Sequence, residues 1–437
     1  MTKLWAKGYQ LNQVVEEFMT GDDPILDLRI AYYDCIASIA HAKMLASINI
    51  ISTEELTQLE IGLNEIIALI NNDQFVINFE QEDIHTAIEN YLVNKCGDIG
   101  KKIHTARSRN DQVLTALRLY TKNELHQTYQ LVIEMCGVLA DFATKYQNIP
   151  YVGRTHYQKA MPSSIGLWSG AILESLLDDL LLLENSYTII NQSPLGSAAS
   201  YGVSLPIDRK LTSELLGFAK VQNNVLYANN SRGKFEGIVI AALNQIMQDL
   251  AKLATDIILF SAPEMGYLNL PIEFCPGSSL MPNKKNPDPF ELIRAKSAVT
   301  TGYLVQVLEL GRGLPSGYNR DFQESKRPLF YSFDIVKQSL QVASIILAKI
   351  TVNETKCLAG FTNDVFATDQ ALYLALKGIP FRDAYQQVAE DLANVTLSDP
   401  VANILNKTHL GATGNLGLAI ALEQINLAKT KPIYLGE

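Results

Sequence analysis

The chain has 437 residues, of which 47% are hydrophobic; it can bury a full core without staples, and its length fits roughly two or three domains. Its five cysteines, Cys35, Cys96, Cys136, Cys275 and Cys357, are odd in number and show neither a C-x-x-C pair nor zinc spacing, which argues against a disulfide framework and predicts reduced, mostly buried thiols. A net charge of −10 disfavours nucleic acid, whose binding surfaces need a basic footprint. No segment reaches the roughly 18 uncharged apolar residues of a membrane span, and residues 1–13 lack the apolar stretch of a signal peptide, so a cytoplasmic chain with no membrane partner is expected.

In chain order, residues 1–106 read as an N-terminal helical domain whose pattern is broken at intervals. Long helical periodicity dominates from about residue 111 to 350, and residues 107–355 are assigned to a central bundle. Trp168, Ile172, Leu176 and Leu180 set the rhythm of a helix over 166–190. Ile238, Ala242, Ile246, Leu250, Leu253 and Ile257 predict one long helix over 235–262. Leu292, Ala295, Val299 and Leu310 give a looser version over 291–310. The breaks at 148–162, 191–202, 275–289 and 311–321 carry Gly and Pro, as helix-ending segments should. Shorter patterns at 369–376 and 381–392 place a small C-terminal helical domain over 356–437. The fold class is mainly α, a three-part chain around a bundle of long helices. Their apolar surfaces are broader than one chain can cover, which predicts oligomerisation.

Basic residues cluster in an otherwise acidic chain. Lys101, Lys102, Arg107 and Arg109 form one group, Lys284 and Lys285 a second, Arg320, Lys326 and Arg327 a third. They suit either a small anionic ligand or a solvated surface, and charge alone favours the surface.

The segment richest in chemistry is Gly277-Ser278-Ser279-Leu280-Met281-Pro282-Asn283-Lys284-Lys285-Asn286-Pro287. Pro282 and Pro287 exclude regular helix and leave backbone N–H groups to face an oxyanion. A serine hydroxyl is normally too weak a base to take a proton from carbon. A lysine ammonium about 4 Å away favours its alkoxide by on the order of 4 kcal/mol at an effective dielectric near 20, about three pK units. Further donors and exclusion of water must supply the rest.

The string resembles the G-S-S-x-M-P-x-K-x-N-P signature of the fumarase, aspartase and argininosuccinate lyase superfamily, whose members eliminate a group to leave fumarate. Four more segments resemble the argininosuccinate lyase branch: Asp83-Ile84-His85-Thr86, the run 102–113 around Ser108-Arg109-Asn110, Gly153-Arg154-Thr155-His156-Tyr157-Gln158, and 314–326. Order and approximate spacing match over residues 80–385. The resemblance implies cleavage of argininosuccinate to arginine and fumarate without a cofactor or metal. It also implies a homotetramer with each site built from three chains.

Residue by residue, the resemblance makes Ser278 the base on a loop that closes over substrate. His156 becomes an acid or orienting group, paired with a bundle carboxylate matched by Glu291. Thr155 and Gln158 would hold substrate carboxylate, with Ser108, Arg109 and Asn110 contributing from another segment. Lys284 and Asn286, with Ser279 beside the base, would hold the dianion formed after proton removal. Tyr318, Gln323 and Lys326 would hold the arginine part, with His85 nearby.

Two segments depart from the branch. A Phe-Asn-x-Ser segment is replaced by Phe18-Met19-Thr20-Gly21-Asp22-Asp23-Pro24 with an apparent two-residue insertion before Asp27, leaving Thr20 as a substitute hydroxyl. Ser-x-Arg-Asp is replaced by Ser231-Arg232-Gly233-Lys234, which shifts the arginine by one position. The alternatives are another fumarate-forming lyase, such as adenylosuccinate lyase, aspartase or fumarase, or a non-catalytic crystallin-like protein. The segments 107–112 and 318–326 weigh against the first group. Intact Ser278, His156 and Lys284 weigh against the second.

Overall fold

A computed structural model describes residues 11–396 and 398–431. Three helices open the main core: α1 (Ala31–Ser47), α2 (Thr53–Asn71) and α3 (Ile84–Cys96). Their starts are set by local chemistry. Ser52 and Glu55 close a reciprocal capping box on α2, and the Asp83 carboxylate accepts the Thr86 N–H at the head of α3, at 2.8 Å, satisfying donors that the first turn leaves open.

Four long helices follow. α4 (Arg109–Lys145) has 37 residues, α5 (Ile165–Ile190) 26, α6 (Lys234–Ser261) 28 and α7 (Asp288–Leu310) 23. α8 (Lys326–Leu347) completes the bundle. At 1.5 Å per residue α4 is about 55 Å long and α7 about 34 Å. α6 packs along α7, α4 along α5 and α8, and α9 (Leu418–Thr430) returns to lie on α4 and α5. Tyr129, Phe290, Phe330 and Phe333 are among the largest fully buried side chains; such burial stabilises by about 1.5–3 kcal/mol each.

The expected helices over 166–190 and 235–262 appear within two residues of their predicted starts and ends. The helix over 291–310 appears too, but its predicted stripe faces outward. Leu292, Ala295 and Val299 are exposed, whereas Phe290, Ile293, Ser297, Thr300 and Val307 pack inward. α7 is apolar on two sides, so periodicity alone could not tell which side this chain covers.

The break at 148–162 also differs from a simple helix ending. It builds an antiparallel hairpin, β1 (Pro150–Thr155) and β2 (Gln158–Ser164), in which Thr155 pairs with Gln158. Tyr151 packs against Phe260 and Tyr267, with ring centroids 5.5 and 5.9 Å apart, which fixes the hairpin at the C-terminal end of α6. A second, small core of Val152, Val365, Phe366, Ala371, Val388 and Val395 joins it to the C-terminal helices. The five cysteines are free thiols. Among the described residues no helix is long and apolar enough to cross a membrane.

Candidate active site

The sequence-predicted residues gather at two opposite ends of the bundle. At the end where α4 and α6 begin and α7 finishes, His85, Arg109, Asn110, Tyr318, Gln323 and Lys326 line one cavity of about 140 Å³. Ser108 sits at its edge as the N-cap of α4, closing a capping box with Asp111. The other Asp111 oxygen accepts the N–H groups of Gly196 and Ala198 at 3.0 and 2.9 Å. Burial pushes this carboxyl above the usual range against those donors. The loop after α5 is thereby clamped to the head of α4.

The cavity also contains residues that the sequence reading did not assign to the site. Lys326 is buried and lies 2.6 Å from Asp27 and 3.0 Å from Asp23. Burial opposes its charge, yet the two carboxylates hold its pKa above that of an ordinary lysine. Burial, reinforced by Asp27 and resisted by Lys326, pushes Asp23 up to about 6. Arg109 is held by Glu82 and Asp83 at 3.3 and 3.2 Å and donates to Thr86 Oγ1. Arg320 reaches Glu82 at 3.1 Å. The His85 ring meets Asp34 through Nδ1 at 2.8 Å. Burial disfavours the imidazolium but Asp34 outweighs it, so the pKa lies above the usual value and Nε2 is left for a ligand.

Most of the basic clusters are therefore spent on carboxylates. Lys101 pairs with Asp98 and Lys102 with Glu55, Arg327 with Asp22, and Arg107 donates to Ser38 from a buried position. Arg232 is different. It is 3% exposed, lines the cavity and lies over the Tyr318 ring at 5.6 Å. Its Nε has no hydrogen-bond partner, and among the described residues its guanidinium makes no ion pair.

Thr20 does not replace the missing hydroxyl in the cavity. Its side chain is buried with an unpartnered Oγ1 and lies outside the cavity lining. The Gln323 amide donates to the Met19 and Thr20 carbonyls instead, leaving its own oxygen for a ligand. The insertion swings Asp23 into the lining where the sequence reading had considered Thr20. The signal was the short spacing from Asp23 to Asp27, one helical turn, which puts both carboxylates on one face.

At the opposite end lie Ser278, Ser279, Lys284, Asn286, Glu291, Thr155, His156 and Gln158. Ser279, Lys284, Glu291 and the hairpin tip are exposed. The loop is pinched by pairing of Gly277 with Lys285 and by donation from Asn286 N–H to the Pro276 carbonyl at 3.1 Å. Within it, the Ser278 oxygen accepts N–H groups from Leu280 and Met281 at 3.2 and 3.0 Å. Such donors favour an alkoxide over a hydroxyl. The backbone freed by the prolines serves the serine itself.

His156 and Tyr157 form the two-residue hairpin turn with φ of 54° and 60°. Both occupy the left-handed region without being Gly or Asn, at a cost of about 1–3 kcal/mol each. Donation from Arg154 to the Tyr157 carbonyl at 2.9 Å and the packed strands hold the turn in place. Among the described residues neither the His156 ring nor the Glu291 carboxylate has a hydrogen-bond or ion-pair partner within this chain. α7 separates the two ends: Glu291 lies in its first turn, while Phe322, packed on Gly233 and Gly311, keeps the 311–326 segment at its last.

The chain resembles known proteins over most of its length. Residues 15–302 match the family model described as "Lyase". The chain is 50% identical over 388 residues to an argininosuccinate lyase of Thermotoga neapolitana, covering 89% of this chain and 98% of that one. It is 42% identical over 414 residues to an argininosuccinate lyase of Parabacteroides distasonis, covering 95% and 92%. Among solved structures it resembles an EDDS lyase in complex with formate, with TM-score 0.82, 22% identity and coverage of 96% and 92%. It also resembles the class II fumarase of Schistosoma mansoni, with TM-score 0.74, 16% identity and coverage of 87% and 91%. These two likenesses establish the fold.

Proposed function

The chain belongs to the argininosuccinate lyases, carbon–nitrogen lyases that split argininosuccinate into arginine and fumarate, and we propose that its two ends divide that substrate between them. The buried cavity takes the arginine part through Tyr318, Gln323 and Lys326, with His85 and Asn110 beside it. The opposite end supplies the chemistry at the succinate part.

In this reading Ser278 takes a proton from the carbon next to the one bearing nitrogen. Lys284, Asn286 and the loop amides hold the resulting dianion, a larger contribution than the proton transfer, which typically gives 10²–10⁴-fold. Thr155, Gln158 and Ser279 hold carboxylate, and the guanidino nitrogen leaves with a proton. His156, oriented by Glu291, assists that departure. The observation that carries the assignment of Ser278 is its pair of backbone donors inside an exposed loop.

A homotetramer in the cytoplasm, with sites shared between chains, completes the reading. Three features support the sharing. The two ends lie about a full α7 length apart, about 34 Å. Argininosuccinate is about a dozen bonds long and spans under about 18 Å at 1.5 Å per bond. A 140 Å³ cavity is below the roughly 300–1,000 Å³ of a complete small-molecule site. The outward apolar face of α7, with Leu292, Val299, Val305 and Leu308 exposed, is the surface on which a second copy would pack.

The test is to incubate the purified protein with argininosuccinate beside an adenylosuccinate control and follow fumarate by ultraviolet absorbance. Turnover of the first alone is expected; no turnover from pH about 6 to 9 would sink the reading. Ser278→Ala should abolish turnover while retaining arginine binding, and a retained rate removes Ser278 from the base role.

A further inference from the structure

The cavity at the arginine end contains an imbalance that its ion pairs do not resolve on their own. One ammonium, Lys326, serves two carboxylates. Asp27 is the nearer at 2.6 Å and also accepts the Ile84 N–H; Asp23 is the farther at 3.0 Å. Asp23 is therefore the carboxylate left short of positive charge. Burial, with Asp27 adding to it and Lys326 opposing, raises its pKa to about 6.

Across the same cavity, Arg232 has the opposite deficiency. Burying a guanidinium without a direct ion-pair or hydrogen-bond partner is costly, and this one is 3% exposed with an orphaned Nε. It is near enough for its charge to act on both Asp23 and Lys326. Both residues come from the two segments where this chain departs from its branch.

We propose that Arg232 and Asp23 form a receptor for an amino-acid head group: Arg232 takes the α-carboxylate of the arginine moiety and Asp23 takes its α-ammonium. The inference rests on the assignment of the arginine end to this cavity. A zwitterion supplies the missing anion to one residue and the missing cation to the other, with no net charge brought into the buried site. The planar guanidinium, over the Tyr318 ring at 5.6 Å, carries the donor fork suited to bidentate recognition of a carboxylate. Tyr318 thus acts on the substrate partly by holding Arg232.

The experiment compares three ligands on the intact enzyme by calorimetry and by inhibition of turnover: L-arginine, agmatine, which lacks the carboxylate, and 5-guanidinopentanoate, which lacks the amine. Arginine should bind about 10–100-fold more tightly than either, the range of one charged hydrogen-bonded contact. In Asp23→Asn the preference over 5-guanidinopentanoate should collapse to a few-fold, while the preference over agmatine persists. Arg232→Gln should do the reverse. Each result is a ratio measured on one variant, so a partly folded preparation does not distort it.

Equal binding of the three ligands by a wild-type enzyme that turns over argininosuccinate overturns this proposal and leaves the lyase reading standing. Unchanged ratios in both variants overturn it too. A chain that neither turns over argininosuccinate nor binds arginine overturns the underlying assignment and the receptor with it.

Discussion

The arginine end and the loop end of the bundle differ in how much of their chemistry is finished inside one chain. At the first, charges are matched in pairs between distant parts of the sequence: buried Lys326 with Asp27, Arg320 with Glu82, Arg109 with Glu82 and Asp83. At the second, Lys284, His156 and Glu291 are exposed and lack ion-pair partners among the described residues. A binding cavity gains from preorganisation, because charges already fixed cost little to reorganise when the ligand arrives. A base that must attack carbon gains from enclosure only once substrate is present. The difference teaches that rigidity and incompleteness are placed where each is useful.

The comparison can be broken most directly by mixing variants. Ser278→Ala and Tyr318→Ala, each inactive alone, should recover about a quarter of wild-type turnover when dissociated, mixed in equal amounts and reassembled, since random assembly gives each site both intact halves one time in four. No recovery would mean that one chain supplies both ends of its own site. Lys326→Met should come next in size. It strands Asp27 in a buried position and should cost about 3–5 kcal/mol in denaturant unfolding, besides arginine binding. A loss under 1 kcal/mol would show that the cavity is not the tightly paired end described above.

The smallest effect concerns pH. Burial raises the Asp23 pKa to about 6, and an α-ammonium favours its ionised form, so arginine affinity should be full above that value and fall as pH drops through it, by up to about tenfold per unit. The sign for stability is opposite: the cost of ionising a carboxyl with a raised pKa is present above about 6 and relieved below it. Lys326, Asp27 and Arg232 face the same group, and His85, whose pKa Asp34 holds above the usual value against burial, is the other titratable group of the cavity that changes with pH. 5-Guanidinopentanoate, lacking the ammonium, should show only the His85 component. A profile identical to that of arginine would remove Asp23 from the contact.

How far the sequence spoke depended on the kind of interaction. The 166–190 and 235–262 helices were legible because their buried residues repeat at three and four spacings along their whole length. α7 was legible as a helix but not in orientation, because Leu292 and Val299 repeat as well as Phe290 and Ile293 do. His85, Asn110, Tyr318, Gln323 and Lys326 were found as motif members and share a cavity. Arg109 was counted among the available cations but is spent on Glu82 and Asp83, partners known only once the fold brings α3 to the head of α4. Asp23 was hidden by the insertion, which drew attention to the hydroxyl of Thr20. The left-handed backbone of His156 and Tyr157 left no trace, since neither residue type announces it.

The contact between Lys326 and Asp27 spans 299 positions of sequence, and Arg29 reaches Asp334 across 305. During synthesis at about 5–20 residues per second, Asp23 and Asp27 therefore wait about 15–60 s before the ammonium that neutralises them has been made. The N-terminal helices can collapse in that interval, but the arginine cavity cannot. A chain truncated before Lys326, three quarters of the way along the sequence, would hold Asp23 and Asp27 without the ammonium that pairs with them.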